Sequence, residues 1–417
     1  MATLYHIIIY CYGLAIRIAA WFQPKARLFI VGRKNIFTHI NERLKQENRK
    51  RIWLHCASLG EFEQARPLIE LIRQNQPELC IILSFFSPSG YEAQKHYPLA
   101  DYVFYLPLDT PSNARKFINL VHPSLALFVK YEFWYNYLNT LHKAHIPVIL
   151  FSALFQSRHP FFKWYGSLHR RMLKLYQHIF VQDEHSKILL AGIGINHVTV
   201  AGDTRFDRTK AVLQQQKSYP SVEAFKCDKK LLIAGSTWKE DEQFLKKMLS
   251  EHHLDFKLLI VPHEVHDAHI QAILQMFDQQ ICFWNADPDT LRDAAVAVVN
   301  EVGHLSALFR YADAAWIGGG YTRSGIHNVL EPAVYGLPVF FGPNYKRYKE
   351  ATELIDYGGA MSLTDPKKLS ASLKDTSQLH NMGRQSRKYV LQHLGATQKI
   401  YDYMVAEKCF FNTAIKF

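Results

Sequence analysis

Two carboxylates stand where chemistry is easiest to place in an α/β chain. Glu61 closes Ser58-Leu59-Gly60-Glu61 directly after the apolar run Ile52-Trp53-Leu54-His55-Cys56-Ala57. Glu132 lies in Lys130-Tyr131-Glu132-Phe133-Trp134-Tyr135-Asn136, directly after the apolar run Leu125 to Val129. Each sits at the carboxyl end of an expected buried strand, the edge at which open α/β sheets bind ligands. A carboxylate there can take the proton of a substrate hydroxyl that comes within about 3 Å. Both also have plainer readings. Ser58 to Glu61 fits a capping box, and Glu132 could pair with Lys130 at the surface for little gain. Pro67 speaks against a helix that begins at Leu59, because proline inside a helix costs roughly 3 kcal/mol. The expectation is therefore a later helix start, with Glu61 on a turn.

The second half offers binding rather than proton transfer. Leu231-Leu232-Ile233-Ala234-Gly235-Ser236-Thr237-Trp238-Lys239-Glu240 reads as a buried strand ending at glycine, with Thr237 and Glu240 as a capping box for the next helix. Free backbone N–H groups and the Ser236 hydroxyl at such a helix start could hold a phosphate. Trp316-Ile317-Gly318-Gly319-Gly320 ends another strand with three glycines, which permit close backbone approach to a neighbour or a ligand. His263 ends a third, and His327-Asn328-Val329-Leu330-Glu331-Pro332 supplies a further polar cluster. The GxGxxG pattern with its later acidic residue and the GxxxxGK[ST] loop are both missing, which disfavours dinucleotide and P-loop sites. No metal-binding motif stands at a strand end.

These residues need a scaffold of alternating strands and helices. Strands are expected at Ile52 to Cys56, Cys80 to Phe85, Tyr102 to Tyr105, Leu125 to Val129, Val148 to Ser152, Ile179 to Gln182 and Val198 to Ala201. After a polar pause they resume at Leu231 to Ala234, Leu258 to Val261, Ile281 to Trp284, Val296 to Asn300, Ala314 to Ile317 and Val339 to Phe341. The fold class is α/β, with two Rossmann-like doubly wound domains facing a cleft. The expected boundaries are an anchoring helix at 1–30, a first domain at 31–207, a linker at 208–230 and a second domain at 231–417. A helical terminus that crosses back to the first domain is plausible.

The 49 Lys and Arg against 37 Asp and Glu leave a net charge of +12, which favours an anionic partner. The basic residues are dispersed and no nucleic-acid motif accompanies them, so nucleic acid is disfavoured. Thr3 to Phe22 is apolar over about a bilayer's width and is followed by Lys25, Arg27, Arg33 and Lys34. Arg17 and His6 interrupt the run, which fits a helix lying in the membrane interface better than a clean span. Nothing in it resembles a cleaved secretory signal. The six cysteines are scattered and mostly within apolar runs, as expected of reduced core thiols.

Taken together, Trp53 to Glu61, Glu132 to Asn136, Gly202-Asp203-Thr204-Arg205-Phe206-Asp207, Gly318-Gly319 and His327 to Ala333 resemble the 3-deoxy-D-manno-oct-2-ulosonic acid (Kdo) transferases of lipopolysaccharide synthesis. The resemblance covers nearly the whole chain. It implies an inverting GT-B glycosyltransferase with CMP-Kdo as donor and a lipid A precursor (lipid IVA) as acceptor, acting without cofactor or metal at the cytoplasmic face of the inner membrane. By the same resemblance Glu61 is the general base and Glu132 is also needed. Glu331 binds the donor ribose, and Ser236, Thr237 and Gly318 to Gly320 face the donor phosphate. His263, Lys239, His327 and Asn328 are further donor candidates. Ser58, Gly60, Arg66, Lys130, Arg158 and Arg205 are acceptor candidates. Two other readings are a GT-B transferase or 2-epimerase acting on a UDP-sugar, and a non-catalytic protein that binds anionic lipid at the membrane surface.

Overall fold

The computed structural model describes residues 2–213, 217–251, 255–277 and 281–410. Two compact units emerge, Met1–Arg208 together with Gly395–Phe417, and Thr209–Leu394.

The first unit is built on seven parallel strands: β1 Arg51–Cys56, β2 Cys80–Phe85, β3 Tyr102–Tyr105, β4 Leu125–Val129, β5 Val148–Ala153, β6 His178–Val181 and β7 Val198–Val200. They lie in the order β3-β2-β1-β4-β5-β6-β7. β2, β4 and β5 are buried along their whole length, which explains why they read as continuous apolar runs rather than alternating ones. Chain order reverses between β1 and β4, so the topological switch point lies there. Helices start where the sequence supplies caps. Ser87, Thr110 and Asp183 each accept an N–H of the first turn, and proline follows at Pro88 and Pro111.

The second unit carries β8 Lys230–Thr237, β9 Phe256–Pro262, β10 Ile281–Phe283, β11 Val296–Val298, β12 Ala314–Ile317, β13 Val339–Phe341 and β14 Ala360–Ser362. All are parallel, in the order β10-β11-β9-β8-β12-β13-β14, with the switch point between β8 and β12. The three-residue β14 was not anticipated; it is too short to show a pattern of its own.

Two expectations change and a third is met. The helix Leu59–Asn75 does begin at Leu59 and runs through Pro67. Its buried face, Phe62, Ala65, Leu68, Ile69 and Ile72, offsets the cost of the proline. The polar stretch 208–230 is no plain linker: it holds the end of the helix Thr204–Leu213 and the helix Pro220–Lys226, of which Val212, Val222 and Phe225 are buried. Residues 214–216 of that stretch lie outside the described residues. From Gly395 the chain belongs to the first unit, as the expected crossing-back of the terminal helix has it. Ala396, Ile400 and Met404 of the helix Ala396–Ala406 share a core with Phe62 and Ile69. Asp207 accepts the Gly395 and Thr397 N–H groups at 2.6 and 2.7 Å, tying down that helix start.

The helix Ala2–Ala19 is apolar but mostly exposed, presenting Leu4, Ile7, Ile8, Leu14 and Ile18, with Trp21 and Phe22 beyond its end. It is long and apolar enough to cross a membrane. One edge is docked: the Tyr5 hydroxyl donates to Asp109 at 2.5 Å, and a His6 ring nitrogen lies 2.9 Å from the Asn136 side-chain oxygen. Arg33, expected among the exposed basic flank, turns inward. Its guanidinium sits 3.5 Å over the Phe29 ring and donates to the carbonyls of Leu106, Phe29 and Phe86, and burial lowers its pKa to about 9. Cys56, Cys80 and Cys409 are buried thiols, whereas Cys11 and Cys227 are exposed, because helix surfaces and turns place them there.

Candidate active site

In the first unit both carboxylates occupy the switch point, Glu61 just beyond β1 and Glu132 just beyond β4. Glu61 is the third residue of its helix rather than a turn residue. Its Oε2 accepts the Ala57 and Ser58 N–H groups at 2.5 and 3.2 Å, which fixes the carboxylate at the helix start. Burial, and then the charge of Glu132, push the Glu61 pKa up to about 8, against the pull of those two N–H groups and of Lys130.

Glu132 is nearly buried, at 4 % exposure, so its plain reading as a surface partner of Lys130 fails. The Trp134 indole N–H donates to Glu132 Oε2 at 2.5 Å, and the Tyr176 hydroxyl donates to the Glu132 carbonyl at 2.5 Å. His55 Nε2 lies 2.8 Å from the same Oε2, off the line of a hydrogen bond. On its other side His55 Nδ1 is 2.8 Å from Ser84 Oγ, which also receives the Trp53 indole N–H at 2.7 Å. Register explains the arrangement: His55 pairs with Ser84 across β1 and β2, and Trp53 lies two residues away on the same face. Sequence reading gave His55 no role. The available signal was a histidine inside a fully buried strand, which needs polar partners.

The basic candidates divide. Lys130 adopts φ 61°, and its ammonium lies over the Tyr131 ring. The charges of Arg158, Arg205 and Glu61 all act on the Tyr131 hydroxyl. Arg205 is paired with Asp203 at 2.7 Å. Arg66 stands apart, bonded to Glu70 at 2.9 Å. Ser58 precedes the helix that carries Glu61, and Gly60 is exposed, with Ser58 Oγ 4.0 Å from where a Cβ would be.

In the second unit the candidates gather at the ends of β8, β9 and β12. Ser236 sits at a register shift in β8 with φ 54°. That shift moves the helix start on: Asp241, not Glu240, reaches back to accept the Trp238 N–H at 3.0 Å. Asp241 also accepts the Gly319 N–H at 2.8 Å and the Trp316 indole at 3.2 Å while fully buried, and burial raises its pKa to about 6. Thr237, expected to cap the next helix and face the donor phosphate, is fully buried and gives its hydroxyl to Glu242 at 2.9 Å. The three glycines serve backbone packing. A side chain on Gly318 would strike Ser236, and one on Gly320 would strike Gly342.

His327 receives the Trp238 indole N–H at 3.1 Å and stacks on His263 at 4.3 Å. Burial, and then His263, lower the His327 pKa to about 4. Lys239 opens the helix Lys239–Glu251 at the surface. Asn328 bridges Glu331 at 3.1 Å and the Leu330 N–H at 3.0 Å, holding the start of the helix Leu330–Val334. Among the described residues, no three His, Cys, Asp or Glu side chains gather as metal ligands.

Comparison with known proteins follows the same division. The fold is that of solved structures with low sequence identity. UDP-GlcNAc 2-epimerase from Neisseria meningitidis matches with a TM-score of 0.59 at 14% identity, over 85% of this chain and 100% of that one. MurG from Acinetobacter baumannii matches at 0.54 and 12%, over 86% and 99%. These establish two Rossmann-like sheets of the GT-B class. In sequence, the family model of 3-deoxy-D-manno-octulosonic-acid transferase (kdotransferase) matches residues 35–208. The 3-deoxy-D-manno-octulosonic acid transferase of Haemophilus influenzae is 26% identical over 373 residues, 85% of this chain and 86% of that protein. The matched segment contains both switch-point carboxylates and the strands that place them, and over it the chain is similar to the 3-deoxy-D-manno-octulosonic acid transferases.

Proposed function

We propose that this glycosyltransferase moves Kdo from CMP-Kdo to a phosphorylated lipid A precursor, lipid IVA, at the cytoplasmic face of the inner membrane, with inversion at the anomeric carbon. The observation that carries the residue roles is the pair at the first switch point: Glu61, fixed by two backbone N–H groups, beside the buried Glu132. A base works best when its pKa lies near the working pH, and the environment moves Glu61 in that direction. Glu61 takes the proton of the acceptor hydroxyl as that oxygen bonds to the anomeric carbon of Kdo. The bond from that carbon to the CMP phosphate oxygen breaks, and its electron pair leaves with CMP.

Ser236, the helix start at Lys239, His263, His327 and Asn328 are the groups assigned to the donor, with Glu331 on its ribose. Gly318 to Gly320 shape that wall, and Thr237 supports it from beneath. Lys130 and Arg158, in the field of Tyr131, are assigned to acceptor phosphate, with Ser58 and Gly60 along the approach to Glu61. The exposed apolar face of Ala2–Ala19 supports seating in the membrane plane, where the acceptor resides. Substituting Ile7, Leu14 and Ile18 together with Ser, which removes apolar surface without adding charge, tests that seating. Binding to anionic vesicles should fall at least tenfold, and undiminished binding would refute the anchor. The reaction as proposed draws on side chains and helix termini instead of a metal. A Glu61→Gln variant should lose transfer and keep CMP-Kdo binding.

A further inference from the structure

The chain of groups behind Glu132 has no place in the transfer step as described, yet it is fully buried and ordered. Trp53, His55 and Ser84 are all 0 % exposed. An indole nitrogen can only donate, so Ser84 Oγ accepts from Trp53 at 2.7 Å and keeps its own hydrogen to give. Two acceptors lie near that hydroxyl's partner: His55 Nδ1 is 2.8 Å from Ser84 Oγ and 3.1 Å from the Ser84 carbonyl. If Nδ1 of a neutral ring carried the proton and gave it to that carbonyl, a bare Nε2 lone pair would face a carboxylate oxygen 2.8 Å away. The arrangement without that repulsion has the Ser84 hydroxyl donating to Nδ1 and the proton on Nε2, towards Glu132. Glu132 Oε2 already accepts from Trp134. A second donor on the same oxygen fixes its position.

We propose that His55 is a positioning residue: with its tautomer set by Ser84 and Trp53, it turns Nε2–H towards Glu132 and fixes that side chain beside Glu61. This role rests on the proposed Kdo-transfer reading. The contact is short but misaligned, and such contacts commonly tighten when substrate binds. The other titratable groups acting on the pair are Cys56 from β1, Lys130 and Tyr131 from the loop after β4, Tyr176 before β6 and Tyr5 from the first helix.

The test pairs His55→Gln, whose amide can still donate to Glu132, with His55→Leu, which cannot. Transfer kinetics are measured from pH 5 to 9 on full-length protein in detergent. His55→Gln should keep kcat within about tenfold of wild type. In His55→Leu, Glu132 loses that donor and is no longer held against Glu61. Its kcat should fall at least a hundredfold at unchanged KM for CMP-Kdo, and the acid limb of the profile should move to lower pH. A His55→Leu limb that stays in place, or a His55→Gln variant as impaired as His55→Leu, would overturn the proposal. A second readout needs no activity. The ¹⁵N spectrum of histidine-labelled protein, with His55 assigned by its loss in His55→Gln, should show hydrogen on Nε2; a bare Nε2 overturns the proposal. Wild type that lacks Kdo transfer but shows the Nε2–H signal would refute the transfer reading while supporting the hydrogen-bond chain.

Discussion

Glu61 should lower the stability of the fold in a pH-dependent way. Its pKa rises from the ordinary 4.5 to about 8 because burial and Glu132 oppose its charge. A carboxyl with a raised folded pKa contributes fully below the unfolded value, and its contribution is lost as pH rises through the folded one. Between those limits the slope is about 1.4 kcal/mol per pH unit, so at pH 7 the full effect is roughly 3 kcal/mol. Solvent screening of this partly open group reduces that to about 2 kcal/mol. Glu61→Gln keeps an oxygen to accept the Ala57 and Ser58 N–H groups and carries no charge. The variant should therefore melt higher than wild type at pH 7 to 8, by about 4–8 °C for a unit of this size. The gain should shrink to about 1 °C at pH 4.5. Differential scanning fluorimetry of both proteins across pH 4.5 to 8 measures it directly. A gain that does not grow with pH, or a variant less stable than wild type at pH 8, would refute the reasoning.

Other sites give independent outcomes. Asp241→Asn turns an amide N–H towards one of three donors that now meet a carboxylate; it should cost about 1–3 kcal/mol in urea unfolding, and Asp241→Ala more. Gly318→Ala places a methyl group against the Ser236 backbone, so a loss of at least about 2 kcal/mol is expected in the same assay. His327 has its pKa lowered from 6.5 to about 4, so its contribution is intact above pH 6.5 and is lost as pH falls towards 4. His327→Gln should remove about 1–2 kcal/mol of that acid destabilisation, read as a shallower fall of Tm between pH 6.5 and 4.

Most of the scaffold was legible because parallel strands buried on both faces read as short apolar runs, and Glu61 and Glu132 were found by their position after two of them. What a single sequence hides is register and frame. A one-residue shift at Ser236 moved the expected Thr237–Glu240 cap to Trp238 and Asp241 and turned Thr237 inward. Pro67 was weighed by its local cost, while the deciding term was the tertiary packing of the helix around it. His55 acquires meaning only when strand pairing sets it beside Ser84 and loop packing brings Glu132 to it. The return of the terminal helix to the first unit was expected, but not what anchors it, Asp207 and the core around Phe62, both remote in sequence.

The most direct test of the central claim is transfer by purified protein given CMP-Kdo and a tetra-acylated lipid A precursor in detergent, with EDTA present, read by mass spectrometry beside Glu61→Gln. The account expects a mass increase of one or more Kdo units with wild type and none with the variant, while both bind CMP-Kdo alike. A variant with full turnover, or wild type that binds CMP-Kdo and forms no product, would contradict it.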